Sequence, residues 1–274
     1  MRRFRLGATS FVHPGGWQHN VERLGDCVQD VEILFFEADG PHCWPDRQEL
    51  RALAELKARH GLTYSLHTPL AASLASLDEA RRQQGVRTVL AAIAAAEPLA
   101  PEAYVLHVYL GDQEHAAERP QDLHAWRRRA AASLHEILAA GVPAERCCIE
   151  LIDYDFALIE PVVSELGLSI ALDIGHLHRD GAALRQTVLR YLPSTRIIQW
   201  HGTDETGRDH RGLQHFPERD ARWLLRTLAQ EQYAGVFTLE VFRADDFASS
   251  LVLFERWQRE VDDANTRAQN SMPR

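Results

Sequence analysis

Asp173-Ile174-Gly175-His176 closes an apolar run with a carboxylate and an imidazole three residues apart. Apolar residues bounded by turn chemistry read as a buried strand that ends at a loop, with Asp173 at its last inward position and His176 just beyond. Carboxylate and imidazole at the mouth of a sheet are metal-ligand types. The spacing by itself is common, and its weight comes from other predicted strands that end the same way. Glu37, His67, His107, Glu150, Asp173, His201 and Glu240 all stand at the ends of apolar runs, and loops add His176 and the pair Asp209-His210. One such residue is ordinarily a satisfied rim residue. Seven at one rim would set like charges against one another in low dielectric, and bound cations remove that conflict.

Two chemistries fit these ligand types. Glu150, Asp173, His201 and Glu240 form a tetrad for a single divalent ion, as in a sugar isomerase or epimerase, with two glutamates exchanging a proton beside a carbonyl. The rest of the rim is surplus to that scheme. His67 and His107, on neighbouring strands, suit Zn²⁺, and Glu150 would bridge them to the tetrad. His176, Asp209 and His210 would make a further site. Two or three closely spaced divalent ions, Zn²⁺ or Mn²⁺, are the arrangement for phosphoester cleavage, so hydrolysis of a phosphodiester is the expectation. Arg208 and Arg211 flank Asp209-His210 and are the candidates to meet an anionic substrate.

Eight short apolar runs alternating with helical patterns position these residues. The runs lie at 5–10, 30–37, 62–67, 103–107, 147–150, 169–173, 196–201 and 235–241. Helical spacing covers 46–60, 77–96, 123–140, 156–166, 182–191, 217–231 and 247–261. Asp46 with Glu49 three residues later reads as a capping box, and Gly61 as a stop. Near-continuous apolar strands alternating with helices imply parallel strands covered on the outside, and closed as a ring they make a (β/α)8 TIM barrel. All eight strands then deliver their C-terminal ends to one face. No glycine-rich phosphate fingerprint follows the first strand, which weakens an open dinucleotide-binding sheet. The expectation is one barrel domain over residues 1–261 and a polar, frayed tail over 262–274.

The net charge of −9 argues against duplex nucleic acid as a partner. No run approaches the roughly 18 apolar residues of a membrane span. The four cysteines show no zinc-ribbon or disulfide spacing, which favours a reducing, cytoplasmic setting and leaves a homo-oligomer open.

The ordered set His67, His107, Glu150, Asp173-x-x-His176, His201, Asp209-His210 and Glu240 resembles the trinuclear zinc pattern of endonuclease IV, of the xylose isomerase-like TIM barrels. Endonuclease IV separates its loop carboxylate and histidine by one residue, whereas Asp209 and His210 are adjacent. Residues Leu6-Gly7-Ala8-Thr9-Ser10-Phe11-Val12-His13-Pro14, then Asn20-Val21 and Leu24, then 30–37, resemble a narrower group, the cobamide-remodelling phosphodiesterases (CbiR type). Ala8 and Gln199 depart from the usual residues there. The resemblance implies cleavage of the nucleotide-loop phosphodiester of a vitamin B12-like corrinoid, with His67, His107, Glu150, Asp173, His176, His201, Asp209, His210 and Glu240 as ligands. Glu150 would bridge two ions, Glu240 and Glu37 would serve the chemistry, and Phe11, His13 and Trp17 would contact the corrin or base. An endonuclease IV-like DNA repair nuclease and a non-enzymatic corrinoid- or metal-binding protein are the remaining alternatives.

Overall fold

The computed structural model describes residues 3–35, 44–111, 122–152 and 154–270. Eight parallel strands close into a barrel in sequence order: β1 (Arg5–Thr9), β2 (Asp30–Leu34), β3 (Thr63–His67), β4 (Tyr104–Leu106), β5 (Cys147–Glu150), β6 (Ser169–Asp173), β7 (Thr195–Trp200) and β8 (Val236–Leu239). β8 pairs with β1 from Arg5↔Val236 to Ala8↔Leu239, which seals the ring. The helices are α1 (Trp17–Leu24), α2 (Arg47–His60), α3 (Glu79–Ala96), α4 (Leu123–Ala139), α5 (Glu160–Glu165), α6 (Ile174–Arg179), α7 (Leu184–Tyr191), α8 (Glu218–Gln230) and α9 (Ala244–Asn270). The (β/α)8 expectation therefore holds.

Local chemistry explains the clearest helix. The Asp46 carboxylate accepts from the Gln48 and Glu49 amides, Glu49 reaches back to the Asp46 amide, and Gly61 ends α2 at φ 64°. Leu50, Leu53 and Leu56 bury one stripe of this helix.

The strands bury both faces, but not equally. A large apolar cluster fills the space between strands and helices, with Trp126, Trp200 and Trp257 among its fully buried side chains. Inside the barrel the apolar cluster is small: Ala103, Val105, Cys148, Ala171, Ile197 and Val236. Because side chains alternate along a strand, the residues two further on share that interior. His107, Glu150, Asp173 and Gln199 occupy those positions, and a second such step along β7 leads to His201. The barrel interior is thus an apolar plug capped by titratable groups.

Among the boundaries that differ from expectation, three bear on the site or on the last helix. β2 stops at Leu34, and Glu37 lies outside the described residues. His176 sits in α6 rather than on a loop, because the Asp173 side chain accepts from the His176 amide at 2.8 Å and caps a helix directly on the strand end. The last helix continues through Asn270 instead of fraying after Val261. Residues 262–270 contain neither Gly nor Pro to stop it.

Candidate metal centre at the C-terminal face of the barrel

His67, His107, Glu150, Asp173, His176, His201 and Glu240 converge at one end of the barrel and are buried. Ligand atoms lie within 4.8 Å of one another in several overlapping triads: His67/His107/Glu150, Glu150/Asp173/His176, Asp173/His201/Glu240 and His176/His201/His210. Glu150 stands in the middle. One of its oxygens is 2.5 Å from His107 Nε2 and 3.5 Å from His67 Nε2, and the other is 3.8 Å from His176 Nδ1. Asp173 lies 3.2 Å from His176 Nδ1 and 3.4 Å from His201 Nε2.

The tautomers of His67 and His210 suit ligation. His67 Nδ1 lies 3.0 Å from the Thr68 carbonyl and His210 Nδ1 lies 3.2 Å from the Glu240 carbonyl. A carbonyl only accepts, so these bonds put the proton on Nδ1 and leave a lone pair on Nε2. His201 Nδ1 faces both the Gly202 carbonyl at 3.2 Å and the His210 amide at 3.0 Å. The amide N–H can only donate, so Nδ1 accepts and the ring proton sits on Nε2, facing Asp173 at 3.4 Å; an ion at Nε2 would displace that proton. Gly175 explains how close His176 and His201 come: a Cβ there would collide with the His201 imidazole.

Adjacent residues on extended chain point to opposite sides, so the pair Asp209-His210 needs a device to bring both into the site. His210 provides it with φ 51°, in the left-handed region, which for a residue with a Cβ costs roughly 1 kcal/mol or more. His210 packs 4.2 Å from the His201 ring and 5.5 Å from His176, while Asp209 reaches to 3.8 Å from His176 Nε2. The loop is anchored by paired backbone bonds between Gly202 and Arg211, and by Gly212 and Leu213 amides donating to Asp246 and Ser250 of α9.

The arginines fall out differently from the sequence expectation. Arg211 Nε lies 3.3 Å from buried Asp246, and largely exposed Arg208 lies 3.4 Å from Asp204. Both guanidiniums are engaged by the loop and its support. Arg179, which the sequence reading passed over, donates to Asp209 at 2.6 Å while Asp180 holds its Nε at 2.7 Å. It lies one helical turn after His176, a spacing that could have flagged it once α6 was recognised. Glu32 and Gln199 were missed as site residues as well. Glu32 is fully buried with a ligand oxygen near His67 and Glu240, and Gln199 donates to both glutamates. Alternation from Asp30 through Glu32 was the available signal.

Phe11 and His13 line an open cavity of about 450 Å³ with Phe242 and Arg243, and Phe242 packs 5.0 Å from His210. Trp17 is occupied otherwise: its indole donates to the Leu34 carbonyl at 3.1 Å and its ring packs on Phe11 and Phe35.

Electrostatics divide the ring. Burial opposes ionisation of Glu150, but His107 and His67 outweigh it and hold the carboxyl well below its ordinary range. Asp173 is likewise held low against burial by His176 and His201. Burial, reinforced by Asp173 and Glu32, pushes Glu240 well up. Burial also raises Glu32 to about 7. Buried oxygens of Glu32, Asp173 and Glu240, with Nδ1 of His176 and Nε2 of His201, have no hydrogen-bond partner. Orphaned donor atoms of these types, turned inward together, fit divalent ions.

No curated protein sequence matches the chain. Solved structures do. A D-tagatose 3-epimerase-like protein superposes with TM-score 0.76 at 18% identity, over 95% of this chain and 99% of that one. An L-ribulose 3-epimerase gives 0.73 at 17%, covering 99% of both chains. Endonuclease IV from Thermus thermophilus gives 0.66 at 19%, over 93% of this chain and 99% of that one. At such identities the likeness is one of fold. The family model of the xylose isomerase-like TIM barrel matches residues 6–265, and the chain belongs to that family.

Proposed function

We propose that this protein is a metal-dependent phosphodiesterase that opens the nucleotide loop of a cobamide. The observation that carries hydrolysis is the set of imidazoles outside the tetrad. His67 and His107 converge on Glu150, and His210 joins His176 and His201. A one-ion reaction does not need these triads as ligand sets. Divalent ions held there would supply Lewis-acid activation of water and charge neutralisation at the phosphate. The chain's own part is positional: Glu150 joins the two sides of the ring, and Asp209, steadied by Arg179, faces His176. Glu240, at the end of β8, would serve the chemistry from the other side of the ring, and Glu37, outside the described residues, would orient water or the substrate ribose. The cobamide assignment rests on the resemblance of the N-terminal residues and on the Phe11/His13/Phe242 cavity beside the rim, which suits a planar, apolar group. Arg211 and Arg208 border the same face.

A second reading has support of its own. Glu150, Asp173, His201 and Glu240 suffice for one ion and two proton-exchanging glutamates, and two of the similar structures named above are epimerase-type proteins. A metal count on the pure protein separates the readings: two or three ions per chain favour hydrolysis, one favours a sugar epimerase. The substrate is tested by incubating metal-loaded protein with cobalamin or pseudocobalamin and resolving loop-cleaved corrinoid by chromatography. Absence of cleavage with Zn²⁺, Mn²⁺ or any other divalent ion would overturn the cobamide assignment.

A further inference from the structure

Glu32 has no part in either reaction scheme, yet its placement is demanding. Its side chain is fully buried inside the barrel. The Gln199 amide donates to one oxygen of Glu32 at 3.3 Å and to one oxygen of Glu240 at 3.1 Å. A single neutral group therefore clamps two carboxylates. The second oxygen of each carboxylate is buried without a hydrogen-bond partner, and so is the Gln199 carbonyl oxygen. Among the described residues no lysine or arginine forms an ion pair with either glutamate. A His67 nitrogen and an oxygen from each glutamate all lie within 4.8 Å of one another.

Two carboxylates bridged by one amide in a low-dielectric interior repel, and the Gln199 amide carries no charge to offset that. A shared proton would relieve the repulsion and still leave oxygens unpartnered. A divalent ion relieves both, and two carboxylates with one imidazole are donors that zinc and manganese accept. We propose that Glu32 is a metal ligand that holds, with Glu240 and His67, a divalent ion on the floor of the ring. This rests on the ring being a metal centre and not on the bond cleaved or the substrate. His67 Nε2 has one lone pair and also faces Glu150 at 3.5 Å. An ion seated with Glu32 therefore draws His67 away from the position shared by His107 and Glu150.

The test uses the full chain, stripped with a chelator, dialysed against Zn²⁺ or Mn²⁺ alone, and counted by mass spectrometry. Glu32→Gln keeps the side chain's shape and is expected to weaken one ion by at least about tenfold or to lose it. His67→Ala should lose the same ion, and His107→Ala should keep it. Glu32→Leu is the second variant should the amide fail to fold, with the same loss expected. Parent-like stoichiometry and affinity in the folded variant would overturn the proposal. A parent that binds one ion would overturn the polynuclear hydrolytic reading and leave Glu32 under test: weakening of that ion by Glu32→Gln supports the ligand role, and unchanged binding refutes it.

Discussion

The two arcs of the ring handle the same physical problem in opposite ways. On one arc Glu150 and Asp173 face His67, His107, His176 and His201, so buried carboxylates sit among groups that carry compensating charge when protonated. On the other arc Glu32 and Glu240 share a neutral amide, and burial lifts both above the ordinary carboxylate range. The first arc surrounds its carboxylates with four imidazoles, whereas the second has only His67 beside Glu32 and Glu240 and His210 at 3.6 Å from Glu240. Metal binding should therefore change the second arc more than the first, which makes the contrast measurable.

Glu150→Gln attacks the residue common to both sides of the ring. It should lower turnover by about a thousandfold or more in steady-state assays, because groups acting as a unit fail together. His107→Ala comes next. Hydrolysis should fall by roughly a hundredfold, whereas an epimerase built on the tetrad alone would keep most of its rate. Removing metal with a chelator should lower the melting temperature by several degrees, since ligand at about a hundred times its dissociation constant stabilises by roughly 3 kcal/mol. In metal-free protein the arcs should respond with opposite sign. Glu150→Gln strips a counter-charge and destabilises by about 1–3 kcal/mol, while Glu240→Gln relieves repulsion and is neutral or stabilising. Equal destabilisation by both variants, read from urea midpoints, would erase the contrast. The smallest effect is expected of Asp180→Asn, which acts on Asp209 only through Arg179. A loss of tenfold or less in activity, with unchanged melting temperature, is the expected outcome.

Much of this site was legible because the barrel turns strand ends into neighbours. Once the runs ending at His67, Glu150 and Asp173 were read as parallel strands, convergence followed from topology alone. Glu32 was not legible in the same way. Alternation puts Asp30 and Glu32 on one face, but Glu32 lies in the middle of β2 and away from the strand ends where the barrel gathers its chemistry. The continuation of α9 past Val261 was not legible, because polarity marks solvent contact and not the end of a helix.

The order of ligand types along the chain, the alternation of strands with helices and the capping of α2 are determined by the sequence by itself, since each depends on residues close in the chain. Tertiary structure decided which groups are spent on one another. Arg211 and Arg208 are adjacent to the site in sequence but paired with Asp246 and Asp204, while Arg179 reaches Asp209 from α6. His210 turns a neighbouring pair inward through a backbone conformation that its residue type does not announce. Partners such as these, and the burial that sets Glu32 against Glu240, are decided where distant segments meet, because charge and lone pairs answer to proximity in space and low dielectric rather than to order along the chain.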